Sequence, residues 1–211
     1  MRWSKAFAAV AVAALALVGA SAAAAPTVSP APTPKTGAVP WRAPADALRR
    51  TRLAGLTPER HEFFQYHVHA HLDIVLNGRA VRVPSAIGIN IHDPGVKSGQ
   101  LPDGTMAYGS IDLCDQPCIS PLHTHDDTGV LHTESKHNIP NRLGQFFTEW
   151  AVTLSKRCVG GYCAPQAAIA FFVDGKPYHG DPRAIALTNL REIAIVIGTP
   201  PKQIPSRFPT G

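Results

Sequence analysis

Two stretches of this sequence place histidine at every second residue. The histidines with this spacing are His67, His69 and His71 in the first stretch, and His123 and His125 in the second. Neutral imidazole is the commonest protein ligand for zinc and copper ions. Side chains at positions i and i+2 of a β-strand lie on one face, about 7 Å apart, so two such rings can turn toward one ion. The two stretches therefore indicate a metal site.

A third histidine and a carboxylate follow the second stretch. The turn residues Asp-Asp-Thr-Gly at 126–129 predict a hairpin there. With a two-residue loop at 127–128, His123 lies opposite His132, and His123, His125, His132 and Glu134 share one face. With Gly129 in a three-residue loop and a bulge, the pairing shifts by one residue and His132 moves to the other face. We favour the first register because it places the imidazoles together.

The candidate metal ligands are thus numerous and mostly imidazole. They are His67, His69, His71, His123, His125, His132 and Glu134. Such ligands suit copper or zinc, and a chain with only two methionines is a poor thioether carrier of Cu(I). We therefore expect an exported metal-binding protein for metal handling or storage, with the identity of the ion left open between copper and zinc.

Two other functions compete with metal handling. In a metal-dependent enzyme, three histidines would leave an open position for a metal-activated water, and Glu134 or Asp126 would accept its proton. The sequence contains no nucleophile elbow, phosphate loop or His-Glu-x-x-His motif, so no residue is assigned as catalytic. The other alternative is an interaction domain that needs no metal.

The first histidine stretch belongs to a strand predicted over residues 65–76. Every even position from 66 to 76 is apolar or aromatic, whereas the odd positions 67–73 carry three histidines and an aspartate. This alternation predicts a strand with one face on a core and the histidines on the other. The turn signal Asn77-Gly78 predicts a tight hairpin, and residues 80–83 form its return strand.

The remaining pattern predicts one helix and further strands. The helix is expected over 142–155, capped by Asn141, with Leu143, Phe146, Phe147, Trp150 and Leu154 on its buried side. A shorter helix is expected from Asp46 to Ala54. Strands are expected over 122–126, 130–135, 167–173 and 192–197, with a doubtful one at 87–91 and an irregular segment over 92–116. We predict an α+β domain: a mixed or antiparallel sheet built from two His-bearing hairpins and covered by one main helix.

The N-terminus has the pattern of a signal peptide. Arg2 and Lys5 precede 13 apolar residues at 6–18, and small residues at 20–22 offer a cleavage site. We predict a signal peptide at 1–22, a Pro-rich spacer at 23–45 and a single domain at 46–211. Cleavage would lower the net charge from +5 to +3 by removing two cations, which is too little to indicate nucleic acid as a partner. The expected product is secreted or periplasmic, without a membrane span. Its expected partner is a metal ion, and another exported protein is a second candidate partner.

The four cysteines fit an oxidising compartment. Cys114, Cys118, Cys158 and Cys163 form an even set, so disulfides are expected, and four cysteines allow three connectivities. Local pairs would close two short loops, and crossed pairs would tie the irregular segment to the region after the helix.

Four segments together resemble a group of exported prokaryotic proteins for which no activity is established. The segments are His-Val-His-Ala-His-Leu (67–72), Pro-Leu-His-Thr-His-Asp (121–126), Gly-Val-Leu-His-Thr-Glu-Ser (129–135) and Leu-Gly-Gln-Phe-Phe-Thr-Glu-Trp (143–150). The resemblance spans roughly residues 60–200. It implies that these histidines occur together, and it implies nothing about a reaction.

Overall fold

The computed structural model of the chain describes residues 41–109, 111 and 113–209. The predicted signal peptide and the spacer up to residue 40 lie outside the described residues. The described part contains two α-helices, one 3₁₀ turn and eleven strands. They are α1 Ala47–Leu53, β1 Tyr66–Leu76, β2 Arg79–Val81, β3 Lys97–Gln100, β4 Met106–Gly109, β5 Leu122–His123, β6 Val130–Ser135, α2 Leu143–Glu149, β7 Cys158–Val159, β8 Tyr162–Cys163, β9 Ile169–Val173, β10 Lys176–Tyr178, the 3₁₀ turn Pro182–Ala184 and β11 Arg191–Ile197. No helix of the described part is long and apolar enough to cross a membrane.

The main sheet has seven strands and a mixed topology. Its order is β10-β9-β11-β1-β6-β5, and β2 pairs with the end of β1. Strands β1 and β11 run parallel, and the other neighbours run antiparallel. The predicted α+β class with a mixed sheet is confirmed. Strand β1 lies in the interior of this sheet, so its histidines have neighbours on both sides.

The first hairpin forms as its turn sequence predicts. Leu76 pairs with Arg79 across the two-residue loop Asn77-Gly78. Both loop residues have positive φ, 49° and 77°, which is the backbone of a type I′ turn and suits the twist of antiparallel strands. This turn fixes which residues of β1 and β2 pair with one another, and so which side chains of each strand share a face.

The core lies on the even face of β1. Ala70, Leu72 and Ile74 are buried there in one cluster with Phe146 of α2 and with Trp150, the C-cap of that helix. Because alternate side chains of a strand point to opposite faces, α2 covers one face of the sheet and the odd-numbered histidines lie on the other. Burial of these aliphatic and aromatic side chains is the main driving force that holds β1 in place.

Helix α2 begins and ends differently from the prediction. Its N-cap is Arg142, whose N–H donates to Gln145 Oε1 at 2.9 Å, while Asn141 instead donates to the Thr133 hydroxyl at 3.3 Å. The helix ends at Glu149 because Ala151 adopts a φ of 61°, and the Val152 N–H then donates to the carbonyl of Phe147. This is the hydrogen-bond pattern of a Schellman cap. Without a glycine at residue 151, nothing in the sequence marked that end.

The segment 92–116 is more ordered than predicted. Strands β3 and β4 form a hairpin within it, and Cys114 and Cys118 are joined by a disulfide. The two half-cystines pack with Ile89, Ile111 and Ile119 in a second small core. The doubtful strand at 87–91 is reduced to a turn with a single bridge from Ile89 to Ile119.

Both disulfides are local. The second bond joins Cys158 to Cys163 across the short β7–β8 hairpin. The structure therefore selects, among the three connectivities, the one that closes two short loops.

Candidate metal centre

Strand pairing aligns the histidines of three adjacent strands. His69 of β1 lies opposite His132 of β6, and His132 lies opposite His123 of β5. One row of the sheet therefore carries three imidazoles side by side. In the next row, His67 lies opposite Glu134. The β5–β6 register is the one that a two-residue loop at 127–128 predicts, although only Leu122 and His123 of the second histidine stretch pair as a strand.

Two pairs of imidazoles form the two sides of this cluster. We call His67 and His69 the outer pair, and His123 and His125 the inner pair. The two Nε2 atoms lie 2.9 Å apart in the outer pair and 3.2 Å apart in the inner pair. With metal–nitrogen bonds of about 2.05 Å, these separations correspond to ligand–metal–ligand angles of about 90° and about 100°. Both pairs therefore have the spacing of two imidazoles on one ion.

The inner pair has its ring nitrogens fixed by the backbone. Nδ1 of His123 lies 2.9 Å from the carbonyl of Ser120, and Nδ1 of His125 contacts the carbonyl of Tyr108. A carbonyl can only accept, so each Nδ1 donates its proton and each Nε2 of the neutral ring carries a lone pair. The two lone pairs face one another, an arrangement that a shared cation would stabilise.

His132 and Glu134 lie between the two pairs. The His132 ring is 4.3 Å, centroid to centroid, from both His69 and His125. One oxygen of Glu134 lies 3.3 Å from His67 and 3.2 Å from His132, and the other lies 3.9 Å from His123. Two overlapping groups could therefore hold a metal ion, and both contain His132 and Glu134.

The protonation states of the cluster suit a cation. Burial and the neighbouring charges of His132 and His67 lower the pKa of His69 to about 4, and burial with the charge of His125 lowers that of His123 to about 3. Burial also opposes the charge of Glu134, but its hydrogen bond with His132 and the nearby imidazoles outweigh that cost and hold its pKa at about 2. At neutral pH the rings of His69 and His123 are thus neutral, and the carboxylate of Glu134 beside them is ionised.

His71, the third predicted ligand on β1, lies apart from this cluster. Its Nε2 donates to the carbonyl of Thr128 at 2.9 Å, and its Nδ1 lies 2.8 Å from Glu192 of β11. Burial opposes a charge on the ring, but Glu192 outweighs it and raises the pKa of His71. Together with Asp73 and Glu192, His71 forms a separate group of side chains that could hold a metal ion. The spacing along β1 could not reveal this, because β11 supplies the partner from 121 residues away.

Two contributors to the site were not among the predicted residues. Glu62 Oε1 lies 3.7 Å from Nε2 of His125 and adds a carboxylate to the inner pair. Tyr108 of β4 holds the backbone of His125, since its N–H donates to the His125 carbonyl at 2.9 Å. Glu62 lies five residues before His67 of the outer pair, but no spacing rule connects it with His125. Strand β4 fell within the segment that we expected to be irregular.

This chain matches no protein-family model, no curated protein and no solved structure. The geometry of the cluster is therefore what indicates a function.

Proposed function

We propose that this protein is exported and binds copper or zinc through the histidine-bearing face of its main sheet, for metal handling or storage. The observation that carries the proposal is the geometry of the inner pair. Its two Nε2 atoms lie 3.2 Å apart with their lone pairs facing one another, while both Nδ1 atoms donate hydrogen bonds to backbone carbonyls. A neutral N–H···N bond between the rings is ruled out by this arrangement, so the pair is preorganised for a cation.

The cost of building the cluster supports a role beyond structure. His123 is fully buried, and Glu134 is only 4% exposed. Burying polar rings and a carboxylate is unfavourable unless they gain partners, and an apolar row would pack at lower cost. A bound divalent ion would compensate this burial and would use the imidazole lone pairs.

Export is supported by the N-terminal pattern and by the disulfides. Two disulfides account for all four cysteines, as expected in an oxidising compartment. Imidazole dominance favours Cu(II) or zinc over Cu(I), which prefers sulfur ligands.

Metal content of the protein purified without a histidine tag tests the proposal. We expect bound metal after loading with Cu(II) or Zn²⁺ and removal of excess ion, and a large loss in the variant His123→Ala/His125→Ala. The matched control is His92→Ala/His179→Ala, which removes two histidines outside the cluster and should keep the metal. Circular dichroism checks that each variant is folded. Equal metal in all three proteins, or none in the wild type, would refute the proposal.

A further inference from the structure

The cluster contains more ligand atoms than one ion can use. The outer and inner pairs supply four Nε2 atoms, and His132, Glu134 and Glu62 add one imidazole and two carboxylates. A structural zinc site takes four ligands. Each pair already has the separation of two imidazoles on its own ion, at 2.9 Å and 3.2 Å.

Glu134 connects the two pairs. One of its oxygens is 3.3 Å from the outer pair at His67, and its other oxygen is 3.9 Å from the inner pair at His123. The two oxygens of a carboxylate can bind two different cations. Oε2 of Glu134 is buried and has no hydrogen-bond partner among the described residues, so this oxygen is left for a ligand on the inner side.

We propose that the site is dinuclear: one ion is bound by the outer pair, a second by the inner pair, and the carboxylate of Glu134 bridges them. This inference rests on the proposed function, since it concerns how many ions the same cluster holds. His132 belongs to both candidate groups and can serve either ion, and Glu62 lies beside the inner pair. Each ion then has two imidazoles of its own and a share of the bridging carboxylate.

The two ions differ in how firmly the protein holds them. The inner pair is fixed by two backbone carbonyls, and His123 is fully buried. The outer pair lies nearer to solvent, where the His67 side chain is 38% exposed. In the part of the chain that the structure describes, no partner fixes Nδ1 of either outer ring. Because fixing the second nitrogen of a ligating ring typically changes metal affinity by about 10–100-fold, the inner ion is retained and the outer ion exchanges. A protein with one retained and one exchangeable ion is suited to passing metal on to a partner.

Metal counting by native mass spectrometry and electron paramagnetic resonance of the Cu(II)-loaded protein test this inference. We expect two ions in the wild type, with a signal weakened and broadened by magnetic coupling between the coppers. The variant His67→Ala/His69→Ala should hold one ion and give the signal of an isolated Cu(II). His125→Ala should also hold one ion, and it is preferred here to loss of His123, whose buried ring would leave a cavity. The control His92→Ala/His179→Ala should keep both ions and the coupling.

The bridge has its own test. Glu134→Gln keeps the size of the side chain and removes its charge, so we expect the coupling carried through the carboxylate to weaken and chelator competition to release ions at least tenfold more readily. A wild type that holds a single ion, lost in both pair variants, would overturn the dinuclear site and leave the proposed function standing. Two ions without coupling would overturn the Glu134 bridge. No ion in any protein would overturn the proposed function itself.

Discussion

Glu149 provides a quantitative test of how the core beneath the site is built. This residue ends α2 and is fully buried, and the hydroxyls of Ser120 and Thr51 lie beside its carboxyl. Burial raises the pKa of its carboxyl to about 8, and the nearby hydroxyls of Ser120 and Thr51 offset only part of the shift. Glu149 is therefore protonated in the folded protein at neutral pH, whereas the unfolded chain ionises near pH 4.5.

The sign and the size of the pH dependence follow from this difference. Below pH 4.5 both states hold the proton, and the contribution of Glu149 to stability is fully present. As pH rises toward 8, only the unfolded state releases the proton, so the free energy of unfolding falls by about 1.4 kcal/mol per pH unit. Over the whole window the loss reaches up to about 5 kcal/mol for a shift of this size. The variant Glu149→Gln keeps the shape and removes the titration, so its stability relative to the wild type should grow with that slope.

Urea unfolding of the metal-free, disulfide-intact protein at several pH values from 5 to 8 measures this difference. The matched control is Glu59→Gln, which makes the same substitution at a partly exposed carboxylate that pairs with Lys136. Titrating histidines are common to wild type and variant, so they cancel in the comparison. If the advantage of Glu149→Gln is constant from pH 5 to 8, Glu149 is ionised in the folded state and our description of the core is wrong.

Three further predictions concern the site itself. The variant Gly109→Ala should weaken metal binding by about 10–100-fold without unfolding the protein, because the added Cβ would lie 2.9 Å from Nδ1 of His125 and displace that ring. Titration calorimetry measures the metal affinity, and an unchanged affinity would contradict this prediction. The variant His71→Ala should keep the full metal content yet lower the denaturation midpoint, because it removes a buried partner of Glu192; metal loss on this substitution would place His71 among the ligands. Because burial lowers the pKa of His123 to about 3, its ring should stay unprotonated at pH 5 in the metal-free protein. Its ring-proton NMR signals should therefore be constant from pH 7 to pH 5, and signals that titrate near pH 6 would contradict the burial of that ring.

The sequence was informative where structure is local and periodic. The even face of β1 on the core, the tight hairpin at Asn77-Gly78 and the facing of His123 and His132 all depend on short-range backbone geometry, and these predictions are confirmed. The odd face of β1 is less exposed than the alternation suggested, because His71 and Val75 are buried there. The sheet class followed from the same patterns. The early end of α2 was missed because a positive-φ alanine replaces the usual glycine.

Which histidines share a cluster depends on the pairing of strands that are distant in sequence, and this pairing could not be predicted. Strand β1 lies between β6 and β11. Therefore His69 contacts His132 of β6, whereas His71 contacts Glu192 of β11, and the spacing of the histidines along β1 does not distinguish these partners. The fixing of His125 by Tyr108 depends on a hairpin within a segment of weak pattern. The ligand types were therefore predictable, whereas the partition of the histidines among clusters required the fold.

A crystal structure of the metal-loaded protein, with anomalous diffraction recorded at the absorption edge of the bound metal, tests the central claim most directly. We predict a strong anomalous peak within about 2.1 Å of Nε2 of both His123 and His125, with a second peak at the outer pair. Metal located only at other residues, or inner rings that remain without an ion in saturated crystals, would contradict it.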